Sequence, residues 1–369
     1  MAIKPLAGLK VLDATSNIAG PYGGAILGDL GATVTKLEVP SGDPSRSMAP
    51  VDGDKSAYFN VVNRNKLVTE INLKSEEGMR ELHSLLSESD VFLTNFLPDR
   101  LAALGLSPKE LMEKYPQLIF GNLTSYGATG ADATTPGYDA TVQARTGIMH
   151  VTGEPNGAPV RAGVSVLDIG AGTWLAMGIL AAVIERNKTG KGTLVETSLY
   201  ETGISWVSYH LSAFQISGEP SVRSGAGHPT FSPYGIFKTQ EGDICIGVGS
   251  DGVFEKLCTQ IERRDLITDP LYATNVNRVA HRSELHAEIE KALAGNTAVY
   301  WAKKLGANGV PADLVVPPEA LFNDPQALEV GALLPNPDKE SLVKWIPGLP
   351  IKLNGERPEI NRSAPHKKS

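Results

Sequence analysis

Only two cysteines, Cys245 and Cys258, occur among 369 residues, so a disulfide framework is excluded and a reducing, cytoplasmic setting is expected. The opening residues lack the basic and apolar regions of a secretory leader. Charge of one sign is never concentrated: 34 basic and 41 acidic residues give a net −7 without long blocks, which leaves no electrostatic footprint for nucleic acid or an anionic membrane. The longest apolar run, Trp174 to Ile184, is about half of what a bilayer requires and reads as a buried core helix. Histidines are few and show no H-x-x-x-H spacing with an acid partner, so no metal site is expected. His281 and His286 read as a solvated helix face, and a lone His150 after Ile148-Met149 as a core histidine. G-x-S-x-G is absent, which removes the serine-hydrolase elbow. These absences leave an enzyme of small molecules, without nucleic-acid or membrane partners.

What is present alternates. Leu9–Asp13 patterns as a short buried strand, the turn Ala19-Gly20-Pro21-Tyr22-Gly23-Gly24 leads into a helix ending at Leu30, and Thr33–Leu37 is a second strand. The glycines do not have the G-x-G-x-x-G spacing; they indicate a tight turn and close helix–strand packing. Strand and helix then repeat: Val68–Asn72, Ser75–Leu86, Val91–Asn95, Pro108–Lys114, Leu118–Thr124 and Thr193–Ser198. This predicts an α/β fold with a Rossmann-like, parallel, doubly wound large domain. Functional loops of such a sheet lie beyond the strand C-termini, which picks out 15–22, 95–98 and 125–138. A chain of this length exceeds one ordinary core. The Gly/Pro/Ser-rich stretch 217–233 is expected to link a large domain (1–216 and 317–369) to a smaller α+β domain (234–316), opened by a hairpin at 235–249.

Asp168 stands out, a carboxylate between the apolar run Val164, Val166, Leu167 and a small-residue helical pattern from Ile169 to Arg186. One reading is an N-cap that accepts hydrogen bonds from the first free main-chain N–H groups. The other is that these N–H groups, left open by Gly170, Ala171 and Gly172, surround a carboxylate that meets a ligand. Spacing does not separate the two.

Six segments in order, LAGLKVLD…AGPYGG…LGDLGATVTKLEVPSGDPSR, NRNKLVTEINLKSEEG, NFLPDRLAALGLS, PGYDATVQARTGIMHVTGEP, GVSVLDIGAGTWLAMGILAAVIERNKTGKG and PYGIFKTQEGDICIGVGSD, resemble the family III CoA-transferases, a group that also includes the α-methylacyl-CoA racemases. The resemblance runs from Leu6 to about Pro358. It implies an interlocked homodimer whose large domains are each built from both termini, acyl-CoA esters and carboxylic acids as substrates, no tightly bound cofactor, and an active-site aspartate at Asp168. It carries CoA contacts onto Ile18 and Ala19, onto Ile71, Asn72, Leu73 and Lys74, onto Asn95, Phe96 and Leu97, and onto Thr135, Pro136, Gly137 and Tyr138. Three CoA-site positions depart from the formyl-CoA branch: Ile18 replaces a glutamine, which argues against formate or oxalate as the substrate pair, and Val39 and Ala103 replace arginines. Arg46, Arg64, Lys74 and Arg100 are the candidates for the missing charge.

For CoA transfer between acids, the resemblance implies attack of an ionised aspartate on the thioester, and an aspartate of ordinary pKa, near ~4, needs no external base. Main-chain N–H groups around Gly170 and in the small domain are the expected oxyanion donors. A racemase instead needs a proton-transferring histidine, and Tyr138 stands where racemases carry it. Tyr138 reads equally as a buried ring with a satisfied hydroxyl. A non-catalytic CoA-binding protein is the third alternative.

Overall fold

The computed structural model describes residues 3–367. The chain divides into two compact units. The first comprises residues up to Ile148, Arg161–Ser217 and the chain from Phe322 onward. Its centre is a six-stranded sheet of β1 (Lys10–Asp13), β2 (Thr33–Glu38), β3 (Lys66–Glu70), β4 (Val91–Thr94), β5 (Ile119–Thr124) and β6 (Leu194–Ser198). Every pairing is parallel, and the spatial order is β3-β2-β1-β4-β5-β6. That is the Rossmann order, with its topological switch between β1 and β4.

Alternation along the strands gives the sheet two apolar faces. Val11, Val91, Leu93 and Ile119 join Ile26 and Leu27 of α1 (Ala19–Asp29) in one core. Leu12, Phe92 and Phe120 join Leu82 and Leu86 of α2 (Glu76–Glu88), Leu101 of α3 (Pro98–Ala103) and Leu111 of α4 (Pro108–Lys114) in the other. Both faces are therefore covered, as expected of a parallel sheet.

Beyond β5 come α5 (Asp139–Arg145) and the 24-residue α6 (Val166–Thr189), whose Leu167, Leu175 and Ile179 are fully buried in the first core. α6 is long and apolar enough to cross a membrane by length and composition, and its packing against α1 and β5 accounts for that apolarity. It starts three residues earlier than the predicted Ile169, so Asp168 lies inside its first turn. After β6 the chain forms two helices that break at Val207, α7 (Leu199–Trp206) and α8 (Ser208–Ser217).

The second unit comprises Met149–Val160 and Gly218–Leu321. An antiparallel sheet of Tyr234–Lys238, Asp243–Gly247 and Ala312–Leu314 packs with helices Asp251–Gln260, Arg282–Leu293 and Ala298–Ala307 around Phe237, Ile244, Leu257 and Leu285. Residues 217–233, read from sequence as a linker, are almost wholly in this unit, together with residues 149–160, read as part of the large domain. Polar contacts explain why: Gly225 N–H donates to Gly153 O at 3.0 Å, Arg223 to His150 O at 3.0 Å, and buried Arg278 to Ser232 O at 2.8 Å. His150 is exposed and bonds to Ser221 O, so it is not a core histidine. His286 stacks on Phe237 at 4.1 Å and bonds to Ile236 O, so it is not simply solvated.

Candidate active site

The loops that follow β1, β3, β4 and β5 share the C-terminal edge of the large sheet, and they hold most of the residues to which the resemblance assigned CoA contacts. At the switch point two of these loops are joined directly. Asn95 accepts from Ser16 N–H at 3.1 Å and donates to Ser16 O at 2.9 Å, which seats the loop leading to Ile18 and Ala19 against Asn95, Phe96 and Leu97. Lys66 is fully buried beneath, donating to Asp13 at 2.7 Å, to Pro21 O at 2.7 Å and to Asn63 at 3.0 Å. Burial pulls this lysine down to about 8 against the opposing pull of Asp13.

Individual side chains divide sharply. Ile71, Leu73 and Phe96 are buried in the core beneath α2 and α3, so Ile71 and Leu73 offer a ligand chiefly their main chain, whereas Asn72 and Lys74 are exposed. Ser75 caps α2 and its N–H closes a turn on Asn72 O, which is why β3 ends at Glu70, two residues before the predicted limit. Val39 is half-buried and Ala103 exposed. Thr135 and Pro136 are exposed, and Gly137 O accepts from Ser125 Oγ at 2.9 Å. Tyr138 is 71% exposed, which overturns the buried-ring reading.

Of the four candidate cations, two are committed elsewhere. Arg46 grips Glu38 with two bonds of 2.7 and 2.8 Å, and Arg64 grips Asp29 at 2.6 and 3.0 Å, all buried. Arg100 is exposed with its guanidinium 3.9 Å from the Phe96 ring centre. Lys74 lines a groove of about 540 Å³ with Met79, Arg80, His83 and Lys114.

The first turn of α6 decides how Asp168 is read. All four N–H groups of that turn are taken: Val166 donates to Val164 O at 2.8 Å, Leu167 and Asp168 donate to Asp139 Oδ2 at 2.8 and 3.3 Å, and Ile169 donates to Ser165 O at 3.1 Å. Asp139, from the start of α5, is therefore the carboxylate that caps this helix, and Asp168 is not its N-cap. Nor do these groups encircle a ligand. Gly170 lies a turn further in, where its N–H belongs to the helical ladder, which corrects the expectation that it donates to an oxyanion.

The glycines serve packing instead: a Cβ on Gly172 would stand 2.4 Å from Ala19 O of α1, and one on Gly170 2.9 Å from Trp206 of α7. Asp168 is half-buried and shares its helix end with a second acid. Burial and the charge of Asp139 together push Asp168 up to about 7, against the smaller downward pull of Arg161. An ordinary pKa near ~4 was the sequence expectation, and the structure replaces it. Gln143 and Arg161 have no local signal in the sequence, and Asp139 is visible there only as the acid that follows Tyr138.

Residues 6–368 match CoA-transferase family III. The chain belongs to that family. Its similarity to human succinyl-CoA:glutarate CoA-transferase is 35% identity across 90% of this chain and 76% of that protein. With acetyl-CoA:oxalate CoA-transferase of Acetobacter aceti it shares 35% identity across 95% of this chain and 90% of the relative. A crystal structure of a CAIB/BAIF family protein from Brucella suis superposes with a TM-score of 0.88 at 33% identity, covering 98% of this chain and 96% of the other. This family III CoA-transferase is thus an enzyme acting on acyl-CoA substrates. The buried Asp139–Asp168 helix end and the joined loops at the β1–β4 switch are the features of its large domain on which a transfer reaction can be built.

Proposed function

We propose that this enzyme moves CoA from an acyl-CoA thioester to a short-chain mono- or dicarboxylic acid, with Asp168 as the nucleophile. The observation that supports it is the state of Asp168, a half-buried carboxylate denied the N–H groups of its own helix and raised to about 7. A partly desolvated carboxylate that accepts no cap bond is a stronger nucleophile than one held by cap bonds. Ionised Asp168 attacks the thioester carbonyl, the C–S bond breaks, and CoA leaves as thiolate, giving a mixed anhydride. The thiolate then attacks the Asp168 carbonyl, expelling the donor carboxylate and leaving an aspartyl-CoA thioester. The acceptor carboxylate reverses both steps. Exclusion of water protects the anhydride. CoA esters are substrates here, and no tightly bound cofactor takes part.

The relatives named above are a succinyl-CoA:glutarate and an acetyl-CoA:oxalate CoA-transferase, which sets the panel to be screened. Succinyl-CoA as donor with glutarate as acceptor should give acyl exchange, and acetyl-CoA with oxalate tests the expectation from Ile18 that oxalate is not a substrate. Hydroxylamine added during turnover should convert Asp168 to its hydroxamate, seen as a mass change on the peptide containing it. Exchange without any adduct at Asp168 rejects the covalent route, and wash-in of α-deuterium without transfer identifies a racemase instead.

The enzyme is further proposed to work as a homodimer. α8 contains no buried residue, and its Tyr209, Leu211, Phe214 and Ile216 stand exposed on one chain. Apolar surface of this extent on a helix is what a partner subunit covers.

A further inference from the structure

Asp139 is the part of this site that the transfer chemistry leaves unexplained. It is 5% exposed, yet it carries a charge beside another carboxylate, an arrangement that costs stability unless something offsets it. Its partners form a closed set. Oδ2 holds the N–H groups of Leu167 and Asp168; Oδ1 accepts from Gln143 Nε2 at 2.5 Å and faces Arg161 Nε at 3.5 Å. Gln143 in turn accepts from Ala162 N–H at 3.0 Å, and Arg161 reaches Ser165 Oγ at 3.2 Å. The segment 161–168 is thereby moored to α5 through one buried acid and one buried amide.

We infer that Asp139 is a positioning residue for CoA transfer: it fixes the helix turn from which Asp168 attacks, and its negative charge disfavours the free carboxylate form of Asp168. This rests on the nucleophile reading of Asp168. An isolated acid in the first turn would be stabilised by the helix's positive end. Here that end is occupied by Asp139, so Asp168 meets a negative neighbour where it would have met free N–H groups.

The consequence falls on the mixed anhydride, which has two carbonyls open to CoA thiolate. Attack at the substrate carbonyl expels Asp168 as carboxylate and returns the starting thioester. Attack at the Asp168 carbonyl expels the substrate carboxylate and carries the reaction forward. The weaker acid is the poorer leaving group, and burial, reinforced by the charge of Asp139, makes Asp168 a weaker acid than a simple carboxylic substrate of pKa near ~4 to 5. Asp139 thus biases the anhydride towards the aspartyl-CoA thioester. Arg161 opposes it, and among the described residues these two are the ionisable groups that act on Asp168.

The test is the pH profile of kcat/KM for succinyl-CoA in the full-length enzyme. Asp139→Asn keeps an acceptor for the cap and removes the charge, so the acid limb should move about half to one unit lower. Arg161→Gln should move it the other way. The same titration is read without turnover from the pH dependence of the stability difference between wild type and Asp168→Asn, measured once with Asp139 in place and once with Asp139→Asn added to both proteins. If Asp139→Asn fails to fold, Asp139→Ser, which also caps, is carried through both measurements. An active Asp139→Asn enzyme whose acid limb and stability titration both stay where the wild type has them overturns the inference. Absence of transfer and of any Asp168 adduct in the wild type instead overturns the nucleophile reading on which it rests.

Discussion

Asp139 holds, through a single carboxylate oxygen, both the Leu167 N–H at 2.8 Å and the N–H of Asp168 itself at 3.3 Å. The cap of α6 and the candidate nucleophile are therefore two different aspartates on one helix end. A helix N-terminus satisfies one carboxylate well, and the second must bear the desolvation.

The first prediction follows from that cost. Asp168 is raised to about 7 from an ordinary 3.8, so the folded protein holds a proton in this window that the unfolded chain releases. The stability it contributes is full below about pH 4 and is lost as pH rises through 7. Asp168→Asn should therefore be more stable than wild type at pH 8, by about 2 to 4 kcal/mol, and nearly equal to it at pH 4. Transfer by the same variant should fall by several orders of magnitude. Thermal or denaturant unfolding at the two pH values checks the first part; equal stability at both would show that Asp168 carries no burial strain.

Activity should mirror this titration from the other side. Because the ionised form attacks, wild-type kcat/KM should rise with pH up to an acid limb near 7 and level off above it. A limb near ~4, the ordinary carboxylate value, would mean that Asp168 of the free enzyme is not raised, since kcat/KM reports the ionisations of the unliganded protein.

The candidate cations should separate by what they hold. Arg46 is locked on Glu38, so Arg46→Ala leaves a buried carboxylate unpaired and should cost about 3 to 5 kcal/mol in stability. Arg100 and Lys74 are exposed, and Arg100→Ala or Lys74→Ala should leave the melting temperature alone. At least one should raise KM for the CoA ester roughly five- to tenfold at unchanged kcat, the sign of lost uniform binding. Unchanged KM in both variants would place the phosphates of CoA against other groups.

Gly172 tests the helix crossing that aims the site. Alanine there would bring Cβ to 2.4 Å from Ala19 O, and since that oxygen belongs to the main chain the helices must separate. Gly172→Ala should cost about 1 to 3 kcal/mol and reduce activity, whereas Gly163→Ala, which meets nothing within 4 Å, should do neither.

The assembly is checked on α8. Phe214→Asp and Leu211→Asp place charge on the exposed apolar face without disturbing a core. Sedimentation should show a dimer for wild type and smaller or unfolded species for the variants; a monomeric wild type would remove the homodimer.

Much of the fold was legible because it is written in short-range patterns. Strand alternation at Val11-Leu12, Val91-Phe92 and Ile119-Phe120 predicts a two-faced sheet, and the close packing announced by AGPYGG is met where Gly23 and Gly24 press on α6 and Asp13. The six ordered segments place the family, and the family places Asp168 at the centre of attention. What sequence could not give was which groups meet across the chain. Asp139 and Leu167 are 28 residues apart and Arg46 reaches Pro365, and neither pairing has a local signature. For the same reason Asp168 looked like its own helix cap. Capping is recognised from one residue and its near neighbours, whereas the cap here arrives from another helix, and only the folded chain decides that the acid inside the turn remains uncapped and ready to react.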